Sequence, residues 1–345
     1  MSKKDEMERV EKDEVLFVGI DLGTSKSAVS TSRGNKKWVE SYVGWPKDFV
    51  ARKLLGQRVL FGEDALNHRL SLQLCRPLEH GVIKEGTEKD EESVMELLGH
   101  LITLAEPKNS EKIYAVVGVP AEALKVNKSA IKKAVKKYSE KLIVVSDPFA
   151  VAFGLNALNN TMIIDIGAGT VDFCIMHGTL PSNDDQRALI TAGDAVDQKL
   201  YDLLSEKHPE ADFTLNMVRR YKEKFGFVSK ARKKAEVEIL VHGKAVVHDI
   251  SAEIKRACES ILPPIAETAM EMIAAFDPEF QAKLRENIIV AGGGSQIAGI
   301  ADYLTEAMSE LGPCSITCVD DPVYGGSDGA LALAMEMPEH YWEQL

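Results

Sequence analysis

The sequence predicts an α/β fold made of two similar halves, and three observations carry that expectation. Apolar runs of strand length alternate with longer stretches of helical period, the pattern of a largely parallel or mixed sheet covered by helices. The runs at residues 15–20 and 162–164 end alike. Each reaches an aspartate, Asp21 or Asp165, passes through a glycine-containing turn and returns in a second strand-like stretch, which reads as an internal duplication. Finally, 345 residues with 45% hydrophobic side chains exceed what a single core usually holds, so two lobes follow.

The elements follow in order. Residues 15–20 form a buried strand, and 27–32 its return. Residues 113–119 are a third buried strand, closed by Pro120. The spacing of apolar residues predicts a lysine-rich amphipathic helix over 127–140, then a strand over 142–145. Pro148 and residues 149–155 open a helix that leads to the second hairpin, 162–164 and 171–176. Beyond it, 196–206 and 216–225 read as helices, and 236–248 as a hairpin turning at His242-Gly243. Residues 250–276 are helical, with Pro263 and Pro264 bending or breaking the helix. A buried strand at 288–291 runs into Gly292-Gly293-Gly294-Ser295, and helices at 297–308 and from 328 to 335 complete the chain.

Composition excludes several classes. A formal net charge of −12 disfavours direct nucleic-acid binding, which needs a basic face. The five cysteines, Cys75, Cys174, Cys258, Cys314 and Cys318, contain no CxxC spacing, which fits a reduced cytosol. No apolar run approaches the roughly 20 residues that span a bilayer. The charged residues 1–14 read as a solvated tail, not a signal peptide. The expectation is a cytoplasmic protein that does not insert into membrane.

The matched hairpins carry the chemistry. Glycine lets the backbone approach an oxyanion, and turn amides can point at it. Gly23 and the run Gly167-Ala168-Gly169 are placed for this, with Thr24, Ser25 and Thr170 adding hydroxyls. Asp21 and Asp165, at strand ends facing a common cleft, suit Mg²⁺ held through water, since magnesium keeps several waters when carboxylates and phosphates share it. Gly292-Gly293-Gly294-Ser295 lets a third backbone segment near a ligand, but it lacks the last glycine of G-x-G-x-x-G, as does Gly167-x-Gly169. The sequence also contains no G-x-x-x-x-G-K-[ST], so Rossmann and P-loop readings are disfavoured.

At this point the chain resembles a known family. VGIDLGTSKSAV and IIDIGAGTVDF resemble the two phosphate motifs of the actin/Hsp70/sugar-kinase superfamily. VVGVPAEAL, DPVYGGSDGALALA and IIVAGGGSQIAGIADYL resemble its two connecting motifs and its adenosine motif, all in the family's order. The segments VGWPKDFVARKLLGQ, PEFQAKLRENIIVAGGGS, ITCVDDPVYGG and PEHYWEQL are most similar to the bacterial actins that align magnetosomes. The resemblance implies an actin-like (ribonuclease H-like, duplicated) two-lobed ATPase fold with four subdomains. These are IA at 15–33, 78–148 and 328–345, IB at 34–77, IIA at 149–192 and 250–327, and IIB at 193–249.

It also implies ATP/ADP and Mg²⁺ as cofactors, self-association into filaments, and adaptor proteins linking them to magnetosome vesicles. Hydrolysis needs an oriented water. The residue matching the family's water-positioning glutamate is Asp147, shorter by one C–C bond of about 1.5 Å. It is a repositioned but working base, the mark of a slow ATPase, or a helix-starting cap before Pro148, and the expectation is that it orients water with slow turnover. KEKFGFV places Lys222 and Glu223 at ribose and adenine, the alternative being an exposed helical charge pair. RPLEHGVIKEG puts His80 in the phosphate-sensing loop, or leaves it an ordinary loop histidine. Lys26 either reaches phosphate or lies exposed. Competing functions are a cell-shape or plasmid-segregation actin, and a small-molecule kinase of the same superfamily.

Overall fold

The computed structural model describes residues 15–84, 87–229 and 234–342, so the charged tail of residues 1–14 and the end of the RPLEHGVIKEG segment lie outside it. The chain divides into two compact units, residues 1–158 with 323–345, and residues 159–322. Among the described residues each unit is built on one five-stranded sheet. In the first unit the strands are Val15–Leu22 (β1), Lys26–Thr31 (β2), Lys36–Glu40 (β3), Lys112–Val119 (β4) and Lys141–Ser146 (β5). In the second they are Asn159–Ile166 (β6), Val171–His177 (β7), Gln186–Leu189 (β8), Ile288–Ala291 (β9) and Ile316–Cys318 (β10).

The two sheets have one topology. Strand order is β3-β2-β1-β4-β5 in the first and β8-β7-β6-β9-β10 in the second. In both, the opening hairpin and its third strand are antiparallel, and the last two strands run parallel to the first. The duplication read from two short motifs thus extends through the whole sheet.

Alternation along the opening strands decides what each face carries. In β1, Leu16, Val18, Ile20 and Leu22 point into a core shared with Leu97, Leu98 and Leu101 of helix Glu88–Leu104 and Ile131 of helix Ala121–Val135. In β6, Met162, Ile164 and Ile166 enter the second core with Val196, Leu200 and Leu204 of helix Gly193–Lys207. Each such side chain stabilises the unit by about 1.5–3 kcal/mol relative to exposure. Asp21 and Asp165 therefore fall on the opposite face, one residue before the strand end in each case.

Each unit also carries a small three-stranded sheet, Val43–Pro46 with Leu60–Phe61 and Leu72–Cys75 in the first, and Ala211–Asp212 with Glu236–Val241 and Lys244–Asp249 in the second. The hairpin of the latter turns at His242 and Gly243, both at positive φ, as a two-residue reversal requires. The expected long helix of residues 250–276 is two helices, Ser251–Glu259 and Leu262–Ala274, with the proline pair in the first turn of the second, where a missing N–H is harmless. The first unit runs on through residue 158 because helix Asp147–Gly154 packs on helix Gly325–Glu336, the added Cβ of Gly329 falling 1.9 Å from the Ala150 carbonyl. Among the described residues no helix is long and apolar enough to cross a membrane.

Candidate functional site: two aspartate–glycine hairpins

In the first hairpin Leu22 pairs with Ser27 and Asp21 with Ala28 across a four-residue turn. The turn is braced through its carbonyls. Ser41 Oγ donates to the Gly23 carbonyl at 2.7 Å, Arg76 Nε to the Thr24 carbonyl at 2.7 Å, and the Ser41 amide to the Ser25 carbonyl at 2.8 Å. A trans peptide directs its N–H opposite to its C=O. Tying the Gly23 and Thr24 carbonyls into the protein therefore turns the Thr24 and Ser25 amides the other way, the arrangement of an anion-binding nest. Thr24 is buried, Ser25 partly so. Lys26 is exposed and lies against the Trp38 ring, 5.3 Å from its centroid.

Beside this turn the first unit gathers two carboxylates. Asp21 is pressed against the start of helix Gly325–Glu336, so close that a Cβ on Gly326 would lie 2.5 Å from its Oδ2. Burial pushes its pKa from 3.8 up to about 7. Its parallel neighbour on β4 is Gly118, and there a Cβ would lie 2.5 Å from Asp147 Oδ1. Asp147 is buried at the first position of helix Asp147–Gly154; the N-cap position is held by Ser146, without a side-chain cap hydrogen bond, so Asp147 is not the helix-starting cap. The carboxyl ends of β1, β4 and β5 thus meet at Asp21, Gly118 and Asp147, where ligands of open α/β sheets characteristically bind. His80 is exposed at the tip of the two-residue reversal between Leu78–Glu79 and Val82–Ile83, a two-stranded sheet of its own, with φ of 48°.

The second hairpin repeats the register and changes the brace. Asp165 pairs with Asp172 and Ile166 with Val171 across the four residues Gly167-Ala168-Gly169-Thr170. Its carbonyls are held by the N-terminus of helix Gly193–Lys207, the Gly193 amide donating to Gly167 at 3.1 Å and the Asp194 amide to Ala168 at 2.8 Å. Two of the helix's unpaired N-terminal donors are satisfied in this way. Thr170 gives its hydroxyl proton to Asp172 Oδ2 at 2.7 Å, so toward a ligand its contribution is the backbone amide.

The glycine run after β9 closes over this hairpin. Gly292 has φ of 71°, and a Cβ there would fall 2.2 Å from Asp165 Oδ1. One on Gly294 would strike Ile166 at 2.3 Å, while one on Gly293 would meet nothing within 4 Å. Ser295 is buried and donates its hydroxyl to the Gly292 carbonyl at 2.8 Å, which fixes the bend of the run. Lys222, on helix Leu215–Phe225, joins this group through the Gly193 carbonyl at 2.8 Å, whereas Glu223 is exposed.

The sequence motifs single out Asp21, Asp165, Asp147 and the glycine runs. They contain Gly118 and Arg76 without assigning them a role, and they miss Gly193 and Ser41, all of which support those residues. Gly193 had one readable signal, a glycine followed by aspartate just before an apolar period. Ser41 and Arg76 act through backbone carbonyls and leave no pattern in sequence.

Two copies of one sheet, each opening with an aspartate hairpin whose amides are turned outward, define an actin-type fold. Residues 16–339 match the MreB/Mbl protein family, and the chain belongs to it. The actin-like protein MamK of Paramagnetospirillum magneticum strain AMB-1 is 43% identical over 330 residues, 96% of this chain and 95% of that one. A MamK double helical filament superposes with a TM-score of 0.91 at 42% identity, covering 94% of this chain and 99% of the other. A non-polymerising MamK mutant bound to AMPPNP gives a TM-score of 0.74 at 42% identity over the same shares.

Proposed function

We propose that this chain is a bacterial actin that binds ATP with Mg²⁺, hydrolyses it slowly and polymerises into cytoplasmic filaments that position magnetosome vesicles in a chain. The observation that carries the reading is the shared register of Asp21 and Asp165, each one residue from a strand end behind a turn whose carbonyls are tied inward. That arrangement is a pair of anion cradles, each with a carboxylate beside it. The MamK likenesses, one of them to a filament and one to a nucleotide-bound form, support self-assembly and an adenine nucleotide as the ligand.

In this reading the amides of Thr24, Ser25, Ala168, Gly169 and Thr170 bind phosphate oxygens, Gly167 shaping the turn by donating its own amide to the Thr170 carbonyl at 2.9 Å, with His80 and Lys26 at the margin of the phosphate site. Lys222, Glu223 and Gly292-Gly293-Gly294-Ser295 take the nucleoside. Asp21 and Asp165 hold Mg²⁺ through water. Among the described residues no group of three or more His, Cys, Asp or Glu side chains is able to hold a metal alone, so the cation takes its remaining ligands from water and phosphate. Asp147, buried over Gly118, orients the attacking water. The four subdomains given above, with residues 149–158 and 323–327 going with the first unit, and adaptor proteins linking filament to vesicle belong to the same proposal.

Purified protein is expected to scatter light on addition of Mg-ATP and to show filaments in negative stain with ATP and a non-hydrolysable analogue, fewer with ADP. Absence of adenine-nucleotide uptake by calorimetry, with magnesium present and the protein folded, would overturn the proposal. Nucleotide binding without assembly would favour the small-molecule kinase instead.

A further inference from the structure

Behind the second hairpin lies a buried charge cluster of which the sequence motifs point only to Lys222. Asp197, on helix Gly193–Lys207, has a side chain 1% exposed. Arg219 Nε contacts its Oδ2 at 2.9 Å and Lys222 Nζ its Oδ1 at 2.7 Å, both from helix Leu215–Phe225. Arg219 also reaches Asp194 Oδ1 at 3.2 Å, so two carboxylates and two cations balance. A buried ion pair of this kind is seldom a net source of stability, because desolvating the charges offsets their attraction. What it does supply is position.

That position bears on the hairpin. Lys222 Nζ, held by Asp197, donates to the Gly193 carbonyl at 2.8 Å, and the Gly193 and Asp194 amides hold the Gly167 and Ala168 carbonyls. An ammonium has three donors. One is given to Gly193 while the charge is paired with Asp197, so donor capacity remains for a ligand.

We propose that Asp197 is a positioning residue for nucleotide recognition. It fixes Lys222 against Gly193, so the nucleoside-side helix Leu215–Phe225 and the hairpin 167–170 are presented to the ligand as one piece. The inference rests on the nucleotide reading above and adds to it the residue that sets Lys222.

The test is Mg-ATP affinity by calorimetry in wild type, Lys222→Met, Asp197→Asn and the double variant, with thermal melting alongside. Removing a charged donor to a ligand weakens binding about tenfold or more, and that is expected for Lys222→Met. If Asp197 acts through Lys222, Asp197→Asn weakens ATP binding similarly and the double variant binds no worse than Lys222→Met, whatever the change in melting temperature. Should Asp197→Asn fail to fold, the double variant, which removes both charges, against Lys222→Met alone makes the same comparison. A double variant distinctly weaker than Lys222→Met, or an Asp197→Asn that binds like wild type, overturns the positioning role while leaving nucleotide binding intact. Wild-type protein that takes up no ATP removes both readings.

Discussion

The two hairpins share strand order, register and turn length, yet they are held by different means. Side chains brace the first, with Ser41 and Arg76 donating to its carbonyls. A helix N-terminus braces the second through backbone amides. The sheet edge beside them differs as well. Next to Asp21 stands Gly118 with Asp147 laid over it, whereas next to Asp165 the chain turns at Gly292 and packs on the carboxylate itself. The first unit thus gathers carboxylates at its sheet end. The second presents a helix N-terminus and Lys222, which favour negative charge. Duplication preserved the frame and changed its surroundings, carboxylates gathering beside the first hairpin and a helix N-terminus with Lys222 standing behind the second.

The largest effects are expected where one hairpin loses its carboxylate outright. Asp165→Ala should abolish Mg²⁺-dependent ATP hydrolysis, and wild-type turnover in the variant would refute the assignment. Gly292→Ala approaches the same outcome from outside the carboxylate. Its Cβ would enter the space of Asp165 Oδ1, and a φ of 71° strains any L side chain by about 1–3 kcal/mol. Loss of hydrolysis with a lowered melting temperature is expected, and unaltered kinetics would show that Asp165 need not sit where it does.

In the first unit the matching test is Asp147→Ala. A water-orienting group misplaced by roughly 1 Å costs about a hundredfold in rate, and its removal should cost at least as much in single-turnover hydrolysis. Filaments with a non-hydrolysable analogue should still form. Unchanged single-turnover rates would leave Asp147 a purely structural residue at the head of its helix.

How much of this was legible in sequence depends on the kind of signal. The paired aspartates, glycine runs and apolar strands were readable because each is local, a few consecutive residues with a fixed backbone consequence. Helix Ala121–Val135 begins before the 127–140 expected, since Pro120 starts it and the apolar period understates the first turn. Strand β3, KKWVE, carries no alternating apolar pattern, being largely exposed, and was not anticipated. The braces were invisible for a deeper reason. Arg76 meets Thr24, and Asp197 meets Arg219 and Lys222, only once the fold has formed. Gly118 reads as one more small residue in a strand until Asp147 is seen lying over it.

A smaller effect separates the carboxylates by titration. Burial raises Asp21 to about 7, above the 3.8 of an ordinary aspartate. Its contribution to the stability of the nucleotide-free protein is therefore complete below 3.8 and is lost as pH rises through 7. If Asp21 holds the cation, as proposed, the charged form is required, and below pH 7 binding of Mg-ATP releases a proton. Affinity should then fall by up to about tenfold per pH unit between 7 and 6. Calorimetry at pH 6 in buffers of different ionisation enthalpy measures that proton, and Asp21→Asn should abolish its release. Equal proton release in the variant would place the titrating group elsewhere.

The smallest effect concerns Gly293, which lies between two glycines that the second unit needs for its own packing. A Cβ on Gly292 or Gly294 collides with Asp165 or Ile166, but one on Gly293 meets nothing within 4 Å, and its φ lies outside the left-handed region. The folded chain by itself does not demand glycine there. Gly293→Ala should leave the melting temperature of nucleotide-free protein within the small range typical of neutral substitutions, about 0.5 kcal/mol. If the nucleoside lies on this run, the added methyl meets the ligand instead. ATP affinity then falls several-fold, while the affinity for inorganic triphosphate, which has no nucleoside, is unchanged. Equal losses for both ligands would put the phosphates on this run and reverse the roles given to the hairpin and the glycine run in this unit.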